Sequence, residues 1–419
     1  MLKLAAKNNK SRSNPTQKIW LTLFVLLIFR FGNTIPLSGI DQDALKKSFL
    51  QLENRNAIMQ IINMYSGGGA TVLTPFSLGI IPFINASILI DLLTALIPFL
   101  EKLQSEEGEA GRKKLTFYKK LGTLIFAIVQ SGFLLFYLKS YIYNTDILNL
   151  GLIGLELVTG SMLIVWLSSI IDNKGIGNGT SLIILTNIVV TLLGKDIPWT
   201  NALDLRGIFE VFFLFILMIL ICISQTARIN IDVVSARQLA FLENLEKNSL
   251  NNTKTKALQL RENGLSIRLN QAGIFPIIIA SNLIPLTSYL TQNLSGSFPF
   301  LNNLLYYFLI VGFNYFYTIV FWDPEKISEQ LRKASVSIVN ITPGKETVSY
   351  LENVVRSTSI IGGLFLCAIL LSYDLVKQLI QGNILNQLNI SSLIIVVGVA
   401  YEIQRTIRAL YKNVLEDII

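Results

Sequence analysis

Ten stretches of this chain are apolar over the length that a membrane crossing demands. A helix needs about 20 mostly apolar residues to cross a hydrocarbon core about 30 Å thick. The stretches lie at approximately 19–37, 75–97, 117–138, 152–171, 178–194, 207–226, 272–292, 304–322, 358–376 and 390–410. The fifth is short, and the tenth carries Glu402, Arg405 and Arg408 toward its end. Charged residues make up only 15% of the chain and mean hydropathy is +0.54, whereas soluble domains carry roughly 25% charged residues. The expected fold is an all-α polytopic membrane protein of ten transmembrane helices.

The basic residues orient it. Of the 35 Lys and Arg, 27 fall in the N-terminal tail, the even-numbered loops and the C-terminal end, 7 fall in the opposite loops, and Arg30 lies within the first span. This asymmetry predicts that both termini face the cytoplasm or its organellar equivalent. Topology and anionic headgroups then account for the net charge of +8 without nucleic acid. A basic start followed by an apolar run is also the layout of a secretory signal. Here the run reaches about 19 residues and no small-x-small cleavage site follows, so it reads as an uncleaved first span.

Ten spans invite a division near residue 200, into halves 1–200 and 201–419. Five is odd, so the second half enters from the opposite side, and two similar halves would form an inverted repeat.

Several chemistries are excluded at once. The chain has no histidine, which removes His-based triads, HExxH zinc sites and imidazole relays. Cys222 and Cys367 lie in separate apolar runs without CxxC spacing, so neither a disulfide framework nor a thiolate metal site is expected. There is no Walker A stretch. No catalytic residue, metal or cofactor is expected, and the chain reads as a non-enzyme.

Charges within spans are the default functional candidates. Asp91 lies near the end of the second span, where it either faces a cavity or is hydrated near the surface. Glu156 and Glu210 stand near span starts and read as interfacial. Asn85, Gln130, Asn178, Asn187, Asn282 and Asn314 are polar residues in apolar surroundings, each needing a partner. They read either as helix–helix glue or as a seam that exchanges protein, water and lipid contacts. Gly67, Gly68 and Gly69 supply a hinge ahead of the second span, and Pro75 suits the first turn of the helix that follows. The Gly175–Gly179 segment reads as a tight turn. Two long loops on the basic side, about 227–271 and 323–357, form a platform for a soluble partner. On these features alone, an inverted-repeat secondary transporter of a small solute stands beside a protein channel. The scarcity of acids near the midplane and the two large loops favour the channel.

Six segments go further: Phe29-Arg-Phe-Gly-Asn-Thr-Ile-Pro36, Leu78-Gly-Ile-Ile-Pro-Phe-Ile-Asn-Ala-Ser-Ile88, Glu107-Gly-Glu-Ala-Gly-Arg-Lys-Lys114, Lys174-Gly-Ile-Gly-Asn-Gly-Thr-Ser181, Gln271-Ala-Gly-Ile-Phe-Pro276 and Phe316-Tyr-Thr-Ile-Val-Phe-Trp-Asp-Pro324. With them the chain resembles the SecY family, the central subunit of the Sec protein-conducting channel, over essentially its whole length.

The resemblance implies two five-helix halves around a central pore, with a plug and a lateral gate between spans two/three and seven/eight. Carried onto matching positions, it implies a pore ring of Ile80, Ile84, Thr180, Ile184, Ile278 and Ile395, in which Thr180 departs from the aliphatic pattern. It implies a plug at about 61–74 that contains Gly67, Gly68 and Gly69. Gate residues would be Asn85, Asp91, Gln130 and Asn282, with Asp91 in place of a neutral amide. Docking of a SecA motor or a ribosome would use Arg228, Arg237, Arg332, Lys333 and Lys345. Thr342 stands where the family typically has arginine, and the 6–7 loop is longer than usual. A SecE-type subunit, a SecG-type subunit, signal-bearing polypeptides and the lipid bilayer are the further partners implied. The lack of histidine and the wealth of Asn, Ile and Lys resemble a plastid-encoded algal member in the thylakoid or another plastid membrane, with a bacterial inner membrane as the alternative.

Overall fold

The computed structural model describes residues 15–45, 47, 73–105, 108–193, 205–235, 264–273, 275–280, 301–339, 341–380, 385, 388 and 390–416. Among these the chain is predominantly helical. It divides into two compact units, 1–197 with 399–419, and 198–398.

The first unit contains α1 (Pro15–Gly32), α2 (Ile81–Leu96), α3 (Pro98–Ser105), α4 (Gly108–Tyr137), α5 (Ile147–Lys174) and α6 (Gly179–Leu193). The second contains α7 (Leu205–Thr226), β1 (Arg228–Ser235), β2 (Gly264–Arg268), α8 (Leu301–Phe321), α9 (Pro324–Lys333), β3 (Val336–Ile338) and α10 (Lys345–Ile380). The last helix, α11 (Ile390–Glu416), runs from the second unit into the first.

Six described helices are long and apolar enough to cross a membrane, those within α4, α5, α7, α8, α10 and α11. Ten were expected. The helices in the second and fifth stretches are shorter, at 16 and 15 residues, and most of the seventh stretch lies outside the described residues. Large apolar side chains face outward along these helices. Phe209, Phe212, Phe215, Ile219 and Ile223 do so on α7. In water such a surface would drive aggregation; against lipid it is the ordinary exterior.

Apolar length and helix length differ. α4 begins about ten residues before its apolar stretch, and α10 begins at Lys345 although apolar character starts near 358. Both helices therefore extend out of the apolar zone as polar helix. The start of α2 is also corrected. Pro75 sits in a turn, and the proline in the first turn of the helix is Pro82. At the other end Ile97 is extended, at φ −106° and ψ 112°. The following Pro98 disfavours helical backbone at that position and separates α2 from α3.

A small sheet was not anticipated. β1 pairs antiparallel with β2, with Arg228 opposite Arg268 and Ile231 opposite Leu265, and on its other edge with β3, where Val233 faces Ile338. Ile231, Ile267, Ile338 and Leu351 are buried together beneath it, with Trp322 and Leu331 packed against them. The described ends of the 6–7 loop and the described part of the 8–9 loop therefore form one folded body. In the first unit Leu37, Leu45, Leu73, Leu138, Ile153 and Leu157 share one apolar core. In the second, Leu217 and Ile221 of α7, Ile310 of α8, Leu366 and Leu370 of α10 and Ile394 of α11 share another.

Candidate functional site

The route into α2 determines where Ile80 and Ile84 stand. Thr74 and Ser77 close a turn: the Thr74 N–H donates to Ser77 Oγ at 2.8 Å and the Ser77 N–H to the Thr74 carbonyl at 3.0 Å. Gly79 takes φ +59°, a conformation costly for any side chain with a Cβ. The turn lies on α5 at a residue without a side chain: a Cβ on Gly160 would stand 2.0 Å from the Pro75 carbonyl oxygen. Ser161 Oγ donates to the Gly79 carbonyl at 3.3 Å. Ile80 caps α2 and Ile84 follows one turn later, both buried.

Thr180 and Ile184 are also one turn apart, on α6. The turn before it is built from polar contacts, in line with the expected tight turn. Asn178 Oδ1 accepts the N–H groups of Thr180 and Ser181 at 3.0 and 3.3 Å, a helix cap. Asp172 Oδ1 accepts the Gly179 N–H at 2.7 Å, and Thr22 Oγ1 accepts the Ile176 N–H at 3.0 Å. The Thr180 hydroxyl shares a 3.2 Å hydrogen bond with Ser168 Oγ of α5, which gives the one non-aliphatic candidate a partner inside its own unit. Ile184 is buried. In the second unit Ile278, in the helical residues 275–280, and Ile395, on α11, are buried too.

Of the gate candidates, Asn85 and Asp91 lie on α2 and Gln130 on α4, and all three are half-buried. α2 and α4 pack together closely; a Cβ on Gly122 would approach Ala86 Cβ to 3.2 Å. Asp91 is engaged in this contact. Its Oδ1 lies 2.8 Å from Lys119 Nζ, and Ser87 Oγ donates to its Oδ2 at 3.3 Å. An ion pair between neighbouring helices is thus the local role of this charge. Asn282 and the plug glycines Gly67, Gly68 and Gly69 lie outside the described residues.

Other polar residues have clear partners. Asn314 Nδ2 donates to the Ser359 carbonyl at 2.7 Å, joining α8 to α10 as helix–helix glue. Glu156 accepts from Ser38 Oγ at 2.6 Å. Glu210 was expected at an interface with water. It is instead buried and accepts the Leu385 N–H at 3.2 Å, because the main chain after α10 needs an acceptor there. Tyr373 donates to the Leu385 and Leu388 carbonyls at 2.7 and 2.8 Å, and Tyr307 donates to Asp374. This polar network was not anticipated, since half of its acceptors are main-chain groups, which no residue type marks.

Among the docking candidates, Arg228 opens β1, and Arg237 lies outside the described residues. Arg332 and Lys345 line one recess of about 460 Å³ with Glu325, Glu329 and Glu352. Lys333 pairs with Glu329 at 3.0 Å, on the surface. Asp323 caps α9 by accepting the Glu325 and Lys326 N–H groups at 3.0 and 3.4 Å. Thr342 Oγ1 donates to Glu346 Oε2 at 2.6 Å, so the residue in the arginine position serves the start of α10.

Residues 74–404 match the family model described as SecY. A protein translocase subunit SecY of Pyropia yezoensis is 37% identical over 414 residues, covering 95% of this chain and 96% of that protein. The corresponding protein of Guillardia theta is 37% identical over 410 residues, covering 93% of each. That of Synechocystis sp. is 33% identical over 418 residues, covering 93% of this chain and 91% of that protein. Among solved structures, one described as a protein conducting channel superposes with a TM-score of 0.62 at 14% identity, covering 95% of this chain and 93% of that chain. Canine Sec61 in a ribosome–channel complex from the endoplasmic reticulum gives 0.55 at 14% identity, with the same coverage. At that identity the likeness is one of fold.

Proposed function

The chain belongs to the SecY family, and from that premise we propose that it is the central, protein-conducting subunit of a Sec translocase. It passes unfolded, signal-bearing polypeptides across the membrane and releases apolar segments sideways into lipid. The work comes from a partner, and the chain makes and breaks no covalent bond. The observation that carries the reading is the family match over 74–404, which takes in the turn that positions Ile80 and Ile84.

In this reading ten spans form two halves, 1–200 and 201–419, around a pore. Ile80, Ile84, Thr180, Ile184, Ile278 and Ile395 form its constriction. Branched aliphatic side chains disfavour water and ions in an empty pore and deform around any passing sequence. The burial of the five isoleucines and the internal partner of the Thr180 hydroxyl support that assignment. Residues 61–74, with Gly67, Gly68 and Gly69, plug the pore. Asn85, Asp91, Gln130 and Asn282 belong to a lateral gate, through which an apolar helix leaves because burial in lipid is favourable by about 25 cal/mol per Å².

The sheet-bearing body of the 6–7 and 8–9 loops receives a SecA motor or a ribosome. Arg228, Arg237, Arg332, Lys333 and Lys345 are its cations. A SecE-type subunit, with a SecG-type subunit beside it, completes the complex. The algal relatives and the histidine-free composition support a plastid membrane, the thylakoid first, with both termini in the stroma.

The direct test places a photo-crosslinking side chain at Ile84 and presents a stalled nascent chain in native membranes. A crosslink that depends on a functional signal sequence is expected. Absence of crosslinks at both Ile84 and Ile278, with a surface site behaving identically, would remove the pore assignment.

A further inference from the structure

One side chain holds both main-chain groups of a single residue, Leu73, at the start of the turn that delivers Ile80. Gln42 Oε1 accepts the Leu73 N–H at 2.9 Å, and Gln42 Nε2 donates to the Leu73 carbonyl at 3.2 Å and to the Leu37 carbonyl at 3.4 Å. The Leu37 N–H donates to the Leu73 carbonyl at 2.8 Å. A glutamine amide carries the same donor and acceptor as a peptide. Gln42 thus acts as an additional strand rung, pairing with Leu73 as a neighbouring backbone would.

The support of this rung is itself fixed. Ser38 is tied to Glu156 of α5. The Asp41 N–H donates to the Tyr141 carbonyl at 2.9 Å, and the Tyr143 N–H to the Gly39 carbonyl at 3.2 Å. Leu37, Leu45 and Leu73 are buried in one core. At the other end of the turn, the Gly160 contact with Pro75 and the Ser161 bond to Gly79 fasten it to α5. The chain from Leu73 to Ile80 is therefore held at both ends. Burial fixes the Leu73 side chain, whereas Gln42 fixes the main-chain N–H and carbonyl on either side of its Cα.

We propose that Gln42 is a positioning residue for the apolar constriction. It acts through the Leu73 main chain, setting the turn from which Ile80 and Ile84 project, and so keeps the empty pore closed to ions. The proposal rests on the reading of Ile80 and Ile84 as constriction residues. An apolar seal depends on the radius it leaves, so a small drift of this turn admits water long before the fold is lost.

The test uses the full chain, assembled with its SecE-type partner and reconstituted in liposomes, and reads ion conductance without any polypeptide substrate. Gln42→Met keeps length and removes both hydrogen-bonding roles; conductance is expected to rise several-fold at every pH. Gln42→Glu at neutral pH keeps the acceptor toward Leu73 N–H but sets a carboxylate against the Leu73 and Leu37 carbonyls, so it leaks as well. On acidification its carboxyl protonates and regains a donor, and the leak is expected to close. That reversal is read on one folded protein, so a variant that merely assembles poorly cannot imitate it. The unaltered channel and Ile84→Gly, read at the same pH values, account for effects of acid on Asp41, Asp43 and Glu156 nearby. Tight Gln42 variants, or a Gln42→Glu leak indifferent to pH, while Ile84→Gly leaks, would overturn the proposal alone. A tight Ile84→Gly channel would overturn the constriction reading and this proposal with it.

Discussion

Asp91 and Lys119 illustrate what a charge does when the nearest water is scarce. Each side chain is about a quarter exposed, at 27% and 23%, and the two are 2.8 Å apart on neighbouring helices. Removing one partner strands the other, and a half-buried ion without its counter-charge costs about 1–3 kcal/mol. Asp91→Asn and Lys119→Met are therefore each expected to lower the unfolding midpoint of the purified complex. The double variant should lose clearly less than the sum of the two, which thermal unfolding in detergent measures directly. Equal and additive losses would show the pair to be uncoupled. Asp91 was legible from the sequence as an odd charge in an apolar run, but Lys119 was not, because the partner is chosen by helix packing and not by local spacing. Gln42 is a harder case still. Its partner is a peptide group, which every residue carries, so no residue type marks the site in advance. Ile80 and Ile84, by contrast, stand in a stretch that hydropathy marks as a span, and they came forward through the family resemblance of the segment Leu78–Ile88.

Elements were legible where the membrane dictates them and not beyond. Hydropathy reports the thickness of the apolar zone, so it located the cores of α4, α5, α7, α8, α10 and α11. It is silent on polar helix, hence the missed early starts of α4 and α10. It is equally silent on a small sheet whose strands come from two loops far apart in sequence. The start of α2 was misread for a related reason: Pro75 and Pro82 are both compatible with a first turn, and only the packing against α5 chooses between them. That packing yields a test at Gly160. An alanine there would place its Cβ 2.0 Å from a main-chain oxygen, which cannot rotate away. Gly160→Ala is expected to destabilise by about 1–3 kcal/mol through overpacking. A Cβ on Gly132, in α4, would meet nothing within 4 Å. Gly132→Ala should be neutral or stabilising by up to about 1 kcal/mol, since it removes backbone freedom from the unfolded chain. Matched losses at the two positions, read as shifts in unfolding midpoint, would mean that the turn does not bear on α5 as described.

For the whole molecule, the distribution of charge makes the most exposed claim. With 27 of 35 basic residues assigned to one side, the folded loop body that holds Arg332, Lys333 and Lys345 is expected on the side of the termini, and the connection between α4 and α5 on the other face. Single cysteines at exposed positions can report this. Asn144 lies in the exposed α4–α5 connection, and Ser349 lies on the exposed polar start of α10. The native thiols must first be removed. Cys222 is exposed on α7, whereas Cys367 is buried in the second unit's core and contacts the Tyr307 carbonyl at 3.4 Å. Alanine, small and apolar, suits both settings, so Cys222→Ala and Cys367→Ala give the background. In sealed vesicles of known orientation, a membrane-impermeant maleimide added outside should label only one of Asn144→Cys and Ser349→Cys, and detergent should expose the other. The labelled position should exchange when the vesicles are inverted, with Ser349→Cys on the side where translation or the motor operates. Labelling of both from one side would break the alternation of crossings between α4 and α10, and with it the odd number of spans on which an inverted second half depends.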